Sequence, residues 1–110
     1  AIGADIEVIR EINWRAMLAM VCDAEEGNAF VRDHATEADA LPDFFRLWTV
    51  KEAILKATGA GFRAGPKNIR VPSDLYAEAA MAPVAAFGER FDVWAVRMGD
   101  IAFSLTRKTA

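Results

Sequence analysis

Residues Asp43 to Gly61 read DFFRLWTVKEAILKATGAG, a run that opens behind Pro42 and meets no breaker before Gly59. Asp43 is placed to cap the start of a helix and Gly59 to end it. At about 100° per residue, Phe44, Leu47, Trp48, Val50, Ile54, Leu55 and Ala57 share an arc of roughly 180°, so half the circumference should be buried. Charged residues interrupt this pattern. Lys51 falls inside the apolar arc, and Glu52 and Lys56 stack four residues apart at its edge. Taken alone, Glu52 and Lys56 read as an exposed ion pair, with Lys51 running its amine out along an apolar face.

The chain opens with another pattern. In IGADIEV, residues 2–8, the side chains alternate, with Ile2, Ala4, Ile6 and Val8 on one face and Gly3, Asp5 and Glu7 on the other. Period two predicts a strand, with its apolar face expected in the core. Asp5 and Glu7 then point the same way, about 6–7 Å apart along the strand. Two carboxylates that close repel unless a cation or hydrogen-bond donors lie between them. Carboxylate oxygens are also the ligands Mg²⁺ prefers. Without further context, Asp-x-Glu reads as the ordinary polar, solvent-facing side of an edge strand.

Between these segments, Asn13 should cap a helix carrying Trp14, Met17, Leu18 and Val21, and Asp23 a second one with Phe30 and Val31 as apolar contacts. Glu25 and Glu26 in that first turn complement the helix dipole. Thr36 to Leu41 reads as a helix or turn that Pro42 ends or kinks. The glycines and proline of GAGFRAGPKN, residues 59–68, predict a loop, with Arg63 and Lys67 bringing positive charge to the end of the main helix. Ile69 to Val71 is expected as a short strand, and Leu75 to Ala82 as strand or loop. Phe91 to Met98 is apolar on both faces, Gly99-Asp100 forms a two-residue turn, and Ile101 to Thr106 returns. The expected fold class is α+β, an antiparallel sheet with helices packed on one face. Residues 1–110 should form a single domain.

Composition narrows the function classes. At 110 residues with 54% hydrophobic and 26% charged residues, the chain can build a core and is not disordered. The net charge of −3 gives no basic footprint for nucleic acid, and no apolar run is long enough to span a membrane. The single cysteine, Cys22, forms no internal disulfide and suits a cytoplasmic protein; it reads as a small buried apolar residue. The single histidine, His34, nearly excludes His-based metal sites and Ser-His-Asp triads and reads as an ordinary surface residue. The start at Ala1, inside a strand pattern, suggests a processed or truncated piece of something longer.

Two motifs have to be read together: G-x-D-x-E at Gly3 to Glu7, and W-T-x-K-E-A-x-x-K at Trp48 to Lys56. With FFRL before the second and ATGAGF after it, the chain resembles the 4′-phosphopantetheinyl transferases over essentially its whole length. The W-T-x-K-E-A form looks like the Sfp-type branch, of which this chain would be the C-terminal half. The resemblance implies transfer of phosphopantetheine from coenzyme A to a serine of an acyl or peptidyl carrier protein, releasing 3′,5′-ADP. It implies Asp5, Glu7 and Glu52 as magnesium ligands (Mg²⁺), with Lys56 and Lys51 as contacts to the coenzyme A phosphates. Glu52 and Lys56 are then the expected catalytic pair, with Glu52 accepting the serine proton.

Sfp-type enzymes are about twice this length, with the site between two similar halves. The chain is therefore expected to lack an N-terminal half, or to self-associate as a homo-oligomer, as the short holo-ACP synthases do. A different class stays open: a non-catalytic protein-interaction module that binds a partner through exposed Trp14, Trp48 or Phe62.

Overall fold

The computed structural model describes residues 1–34, 37–59, 65–77 and 80–109. Thr36, Gly61, Phe62 and Arg63, all named above, lie outside them. The elements run β1 (Ile2–Val8), α1 (Trp14–Val21), α2 (Ala24–Asp33), α3 (Glu37–Thr58), a 3₁₀ turn (Pro66–Asn68), α4 (Ser73–Ala77), β2 (Met81–Ala86), β3 (Glu89–Met98) and β4 (Ile101–Lys108). The strands form an antiparallel sheet in the order β1-β4-β3-β2. One face carries α3, and the core lies between them; the α+β class holds. Among the described residues, no helix is long and apolar enough to cross a membrane.

Local chemistry explains most element ends. Asn13 caps α1 by accepting the Ala16 N–H, and Asp23 caps α2 by accepting the Glu26 N–H at 2.8 Å. Gly59, with φ of 74°, ends α3 in the left-handed conformation that glycine adopts without strain. The Gly99-Asp100 turn joins β3 to β4 as expected.

Several expectations are corrected. Helix α3 begins at Glu37 and runs through Pro42. Proline there removes the bond to the carbonyl of residue 38 and its ring crowds that carbonyl, while Ala40 and Phe44 on either side are buried in the core. Asp43 is consequently no cap: its Oδ2 lies 2.8 Å from Nε2 of His34. His34 is no ordinary surface residue, since its ring stacks on Phe30 at 4.0 Å and its side chain is buried. Residues 69–71 form no ladder, and Ser73 to Ala77 is helical. Trp14 is buried in the core.

The largest correction concerns β1. The face bearing Gly3, Asp5 and Glu7 turns towards α3, while Ile2, Ile6 and Val8 are exposed. Alternation reveals that a strand has two faces but not which one is covered. Close contact decides it. A Cβ on Gly3 would lie 1.9 Å from the Ala53 carbonyl oxygen and 2.6 Å from the Ala57 nitrogen, so strand and helix touch backbone to backbone. Only glycine fits. We expect Gly3→Ala to lever β1 off α3 and cost about 2–3 kcal/mol, a fall in Tm of roughly 10 °C. Calorimetry of the variant checks this, and an unchanged Tm would refute the contact.

Candidate functional site

The Gly3 contact aligns the two motifs. Two residues beyond Gly3, Asp5 points at α3 and is buried. Lys56, one residue before Ala57, donates from Nζ to Asp5 Oδ1 at 2.8 Å. Its side chain remains 52% exposed, so the ammonium can be reached from solvent. Glu52 sits one turn earlier on α3, close enough for the Asp5 charge to act on it, and Glu7 feels Asp5 and Lys56 as well. Asp5, Glu7, Glu52 and Lys56 are thus brought together where the strand faces the helix. Lys51 is not among them. It is fully buried elsewhere, paired with Glu26 at 2.7 Å.

The electrostatics show how crowded the carboxylates are. Burial, then the charge of Asp5, pushes the Glu52 carboxyl above its ordinary value, and the same two causes raise Glu7. Lys56 is raised chiefly by its hydrogen bond to Asp5. Asp5 Oδ2 and Glu52 Oε1 are buried without a hydrogen-bond partner among the described residues. Orphaned buried oxygens are costly, and acidic ones are the donors a hard cation accepts. The donor chemistry therefore fits Mg²⁺. Among the described residues, however, no group of at least three His, Cys, Asp or Glu could hold a metal ion as arranged.

Two contributors escaped the sequence reading. Alternation puts Gly3 on the polar strand face and the motif includes it, but neither reveals its contact with α3; a glycine within a strand is itself a signal for close approach. Position in the first turn of α2 explains Glu26 by the helix dipole alone. It lies four residues before Phe30 and four after Cys22, on the buried face of α2, which marks it as an interior acid. Cys22 itself is buried as expected, and burial pushes its thiol up to about 12.

The raised carboxyls carry a pH signature. A carboxyl with a native value above its unfolded value binds more protons when folded, so its contribution is complete below the unfolded value of about 4.5. That contribution is lost as the pH rises through the raised native value. Glu52→Gln should therefore raise the metal-free Tm at pH 7 by about 2–6 °C, with the gain shrinking as the pH falls towards 4.5. Thermal unfolding at both pH values is the check; equal or reversed gains would contradict the assigned crowding.

Comparison with known proteins bears on the fold and the family. The chain is similar in fold to holo-[acyl-carrier-protein] synthase from Neisseria meningitidis, with a TM-score of 0.64 and 20% identity over 99% of this chain and 97% of that one. It is similar also to the Helicobacter pylori holo-[acyl-carrier-protein] synthase solved in complex with coenzyme A. That match has a TM-score of 0.57 and 15% identity over 99% of this chain and 100% of that one. No curated protein sequence matches it. The profile of the 4′-phosphopantetheinyl transferase superfamily matches residues 1–103. The chain belongs to the 4′-phosphopantetheinyl transferase superfamily and is a transferase of that class.

Proposed function

We propose that this chain transfers 4′-phosphopantetheine from coenzyme A to a serine of an acyl or peptidyl carrier protein, releasing 3′,5′-ADP, in the cytoplasm. The observation that carries this reading is Lys56 Nζ at 2.8 Å from Asp5 Oδ1, a reachable cation joined to a buried carboxylate. Asp5, Glu7 and Glu52 are the proposed magnesium ligands, and the orphaned oxygens of Asp5 and Glu52 support that assignment. Magnesium, when bound, would neutralise charge on the pyrophosphate and relieve the repulsion among the carboxylates.

The protein's own groups do the rest. Lys56 holds a phosphate oxygen, as phosphoryl-type transfer requires positioning and charge neutralisation above all. Glu52 accepts the serine proton, a role that suits a carboxyl raised by burial. The serine oxygen bonds to phosphorus, the bond from phosphorus to the departing 3′,5′-ADP oxygen breaks, and the nucleotide leaves with that electron pair.

The sheet's outer face supports the expected assembly. Across the ladder, Val8–Ile101–Met98, Ile6–Phe103–Val96 and Ala4–Leu105–Trp94–Met81 line up as successive rows without a charge. Ile6 is 63% exposed and Met98 72%. An apolar face of this extent seeks a partner, and we propose a second copy of the chain or a similar half-fold. The same face also favours the rival reading of a non-catalytic interaction module, so binding must separate the two. Calorimetry should show coenzyme A binding that depends on Mg²⁺; metal-independent or absent binding would favour the rival.

Kinetics and assembly give two further checks. Asp5→Ala and Lys56→Ala should each lower kcat by about 100-fold or more while circular dichroism stays that of the parent. Either variant turning over at the parental rate would remove that residue from the site. Val96→Lys should shift a dimer or trimer to monomer in light scattering at micromolar concentration, and a parent already monomeric would rule out self-association.

A further inference from the structure

The site just described leaves a second interior charge unexplained. The Lys51 ammonium donates to Glu26 Oε1 at 2.7 Å, to the Pro66 carbonyl at 2.9 Å and to the Ile69 carbonyl. Glu26 uses its other oxygen to accept the Val71 N–H at 2.8 Å. A lysine has three N–H donors, and all of them are engaged here. With the side chain fully buried, none remains to offer a phosphate. The expected contact between Lys51 and coenzyme A has no support in this geometry.

What the pair can do follows from the helix that carries it. Phe44, Phe45, Leu47, Val50, Ala53, Ile54 and Leu55 are all buried, so α3 is apolar on most of its circumference. Apolar contact is not directional, so polar anchors add to packing in fixing the rotation of a helix enclosed in this way about its own axis. Rotation matters here, because Glu52 and Lys56 meet Asp5 from one side of α3 only. Glu52 follows Lys51 by about 100° of turn, so fixing the Lys51 ammonium fixes the direction of Glu52. The acceptors of Lys51 come from two separate segments, α2 and residues 66–69, and the Val71 N–H in turn holds Glu26, which makes the anchor resistant to rotation in either sense.

We propose that Lys51 and Glu26 are positioning residues, which set the rotation of α3 so that Glu52 and Lys56 face Asp5, and that Lys51 does not touch the substrate. The proposal rests on the reading of Asp5, Glu7, Glu52 and Lys56 as a phosphopantetheinyl transfer site. Lys51→Met alone leaves Glu26 charged and unpaired in the interior and is expected to unfold the protein at lower temperature. The double variant Glu26→Gln with Lys51→Met removes both charges, while the introduced amide oxygen still offers an acceptor to the Val71 N–H. It is the deciding protein.

In steady-state kinetics well below its Tm, the double variant should keep KM for coenzyme A within about twofold of the parent while kcat falls by about tenfold. Its Tm should recover most of what Lys51→Met loses. A KM for coenzyme A raised by about tenfold would mean that Lys51 contacts the substrate, and would overturn the proposal. Parental kcat and KM together would also overturn it, because the pair would then hold the fold and nothing more. A parent without transferase activity would instead overturn the functional reading, and the parental assay reports that before any variant is made.

Discussion

The structure depends on one close approach, the backbone of β1 against the backbone of α3 at Gly3. A Cβ there would stand 1.9 Å from the Ala53 carbonyl oxygen, so the two elements could not come this near with any other residue. Nearness is what lets a short aspartate side chain meet a lysine from the helix at 2.8 Å. It also sets the direction in which β1 faces. Because β1 pairs with β4 and β4 with β3, turning the carboxylate face of β1 inward sends the apolar side chains of the neighbouring rows outward.

The same approach makes the site expensive to fold. Acidic side chains crowd into the seam, two of their oxygens have no partner among the described residues, and burial pushes Glu52 and Glu7 up. A sequence selected for stability alone would have put threonine or valine on this strand face. Interior acids that repel each other and keep oxygens without a partner are characteristic of sites where a cation or a charged substrate completes the arrangement. The stability lost there is offset by a large apolar core around α3, and by hydrogen-bonded polar anchors that tie the helix to its surroundings. The Lys51–Glu26 pair, the Thr49–Ser104 contact at 2.8 Å and Arg46, which donates to the Leu75 and Ala95 carbonyls, are such anchors.

Apolar surface is distributed accordingly. The inner sheet face supplies Phe91, Val93 and Ala95 to the core, and the outer face presents Val8, Ile101, Met98, Ile6 and Val96 to whatever lies beyond. A single layer of helices can cover only one side of a sheet, so the second apolar face is a consequence of the architecture itself. Its rows carry no charge until Ile2, Arg107 and Asp92, where an ion pair at 3.4 Å marks a polar margin.

The sequence by itself determined the main helix, three of the four strands and which residues to weigh as site candidates. Helical spacing located the stretch from Phe44 to Ala57, alternation located β1, β3 and β4, and the paired motifs proposed Asp5, Glu7, Glu52, Lys56 and Lys51. These signals are local, and local periodicity survives without knowledge of neighbours. Only tertiary structure decided which side of each element is covered. Period two could not say that the carboxylate face of β1 turns inward, because that choice depends on the Gly3 contact with a helix some fifty residues away. Helical spacing put Lys51 among apolar residues but could not reveal Glu26, Pro66 and Ile69 around its ammonium. It likewise could not foresee Asp43 beside His34 rather than at a helix start. Pairings of this kind join residues distant in sequence, and no repeat or propensity within a segment encodes them.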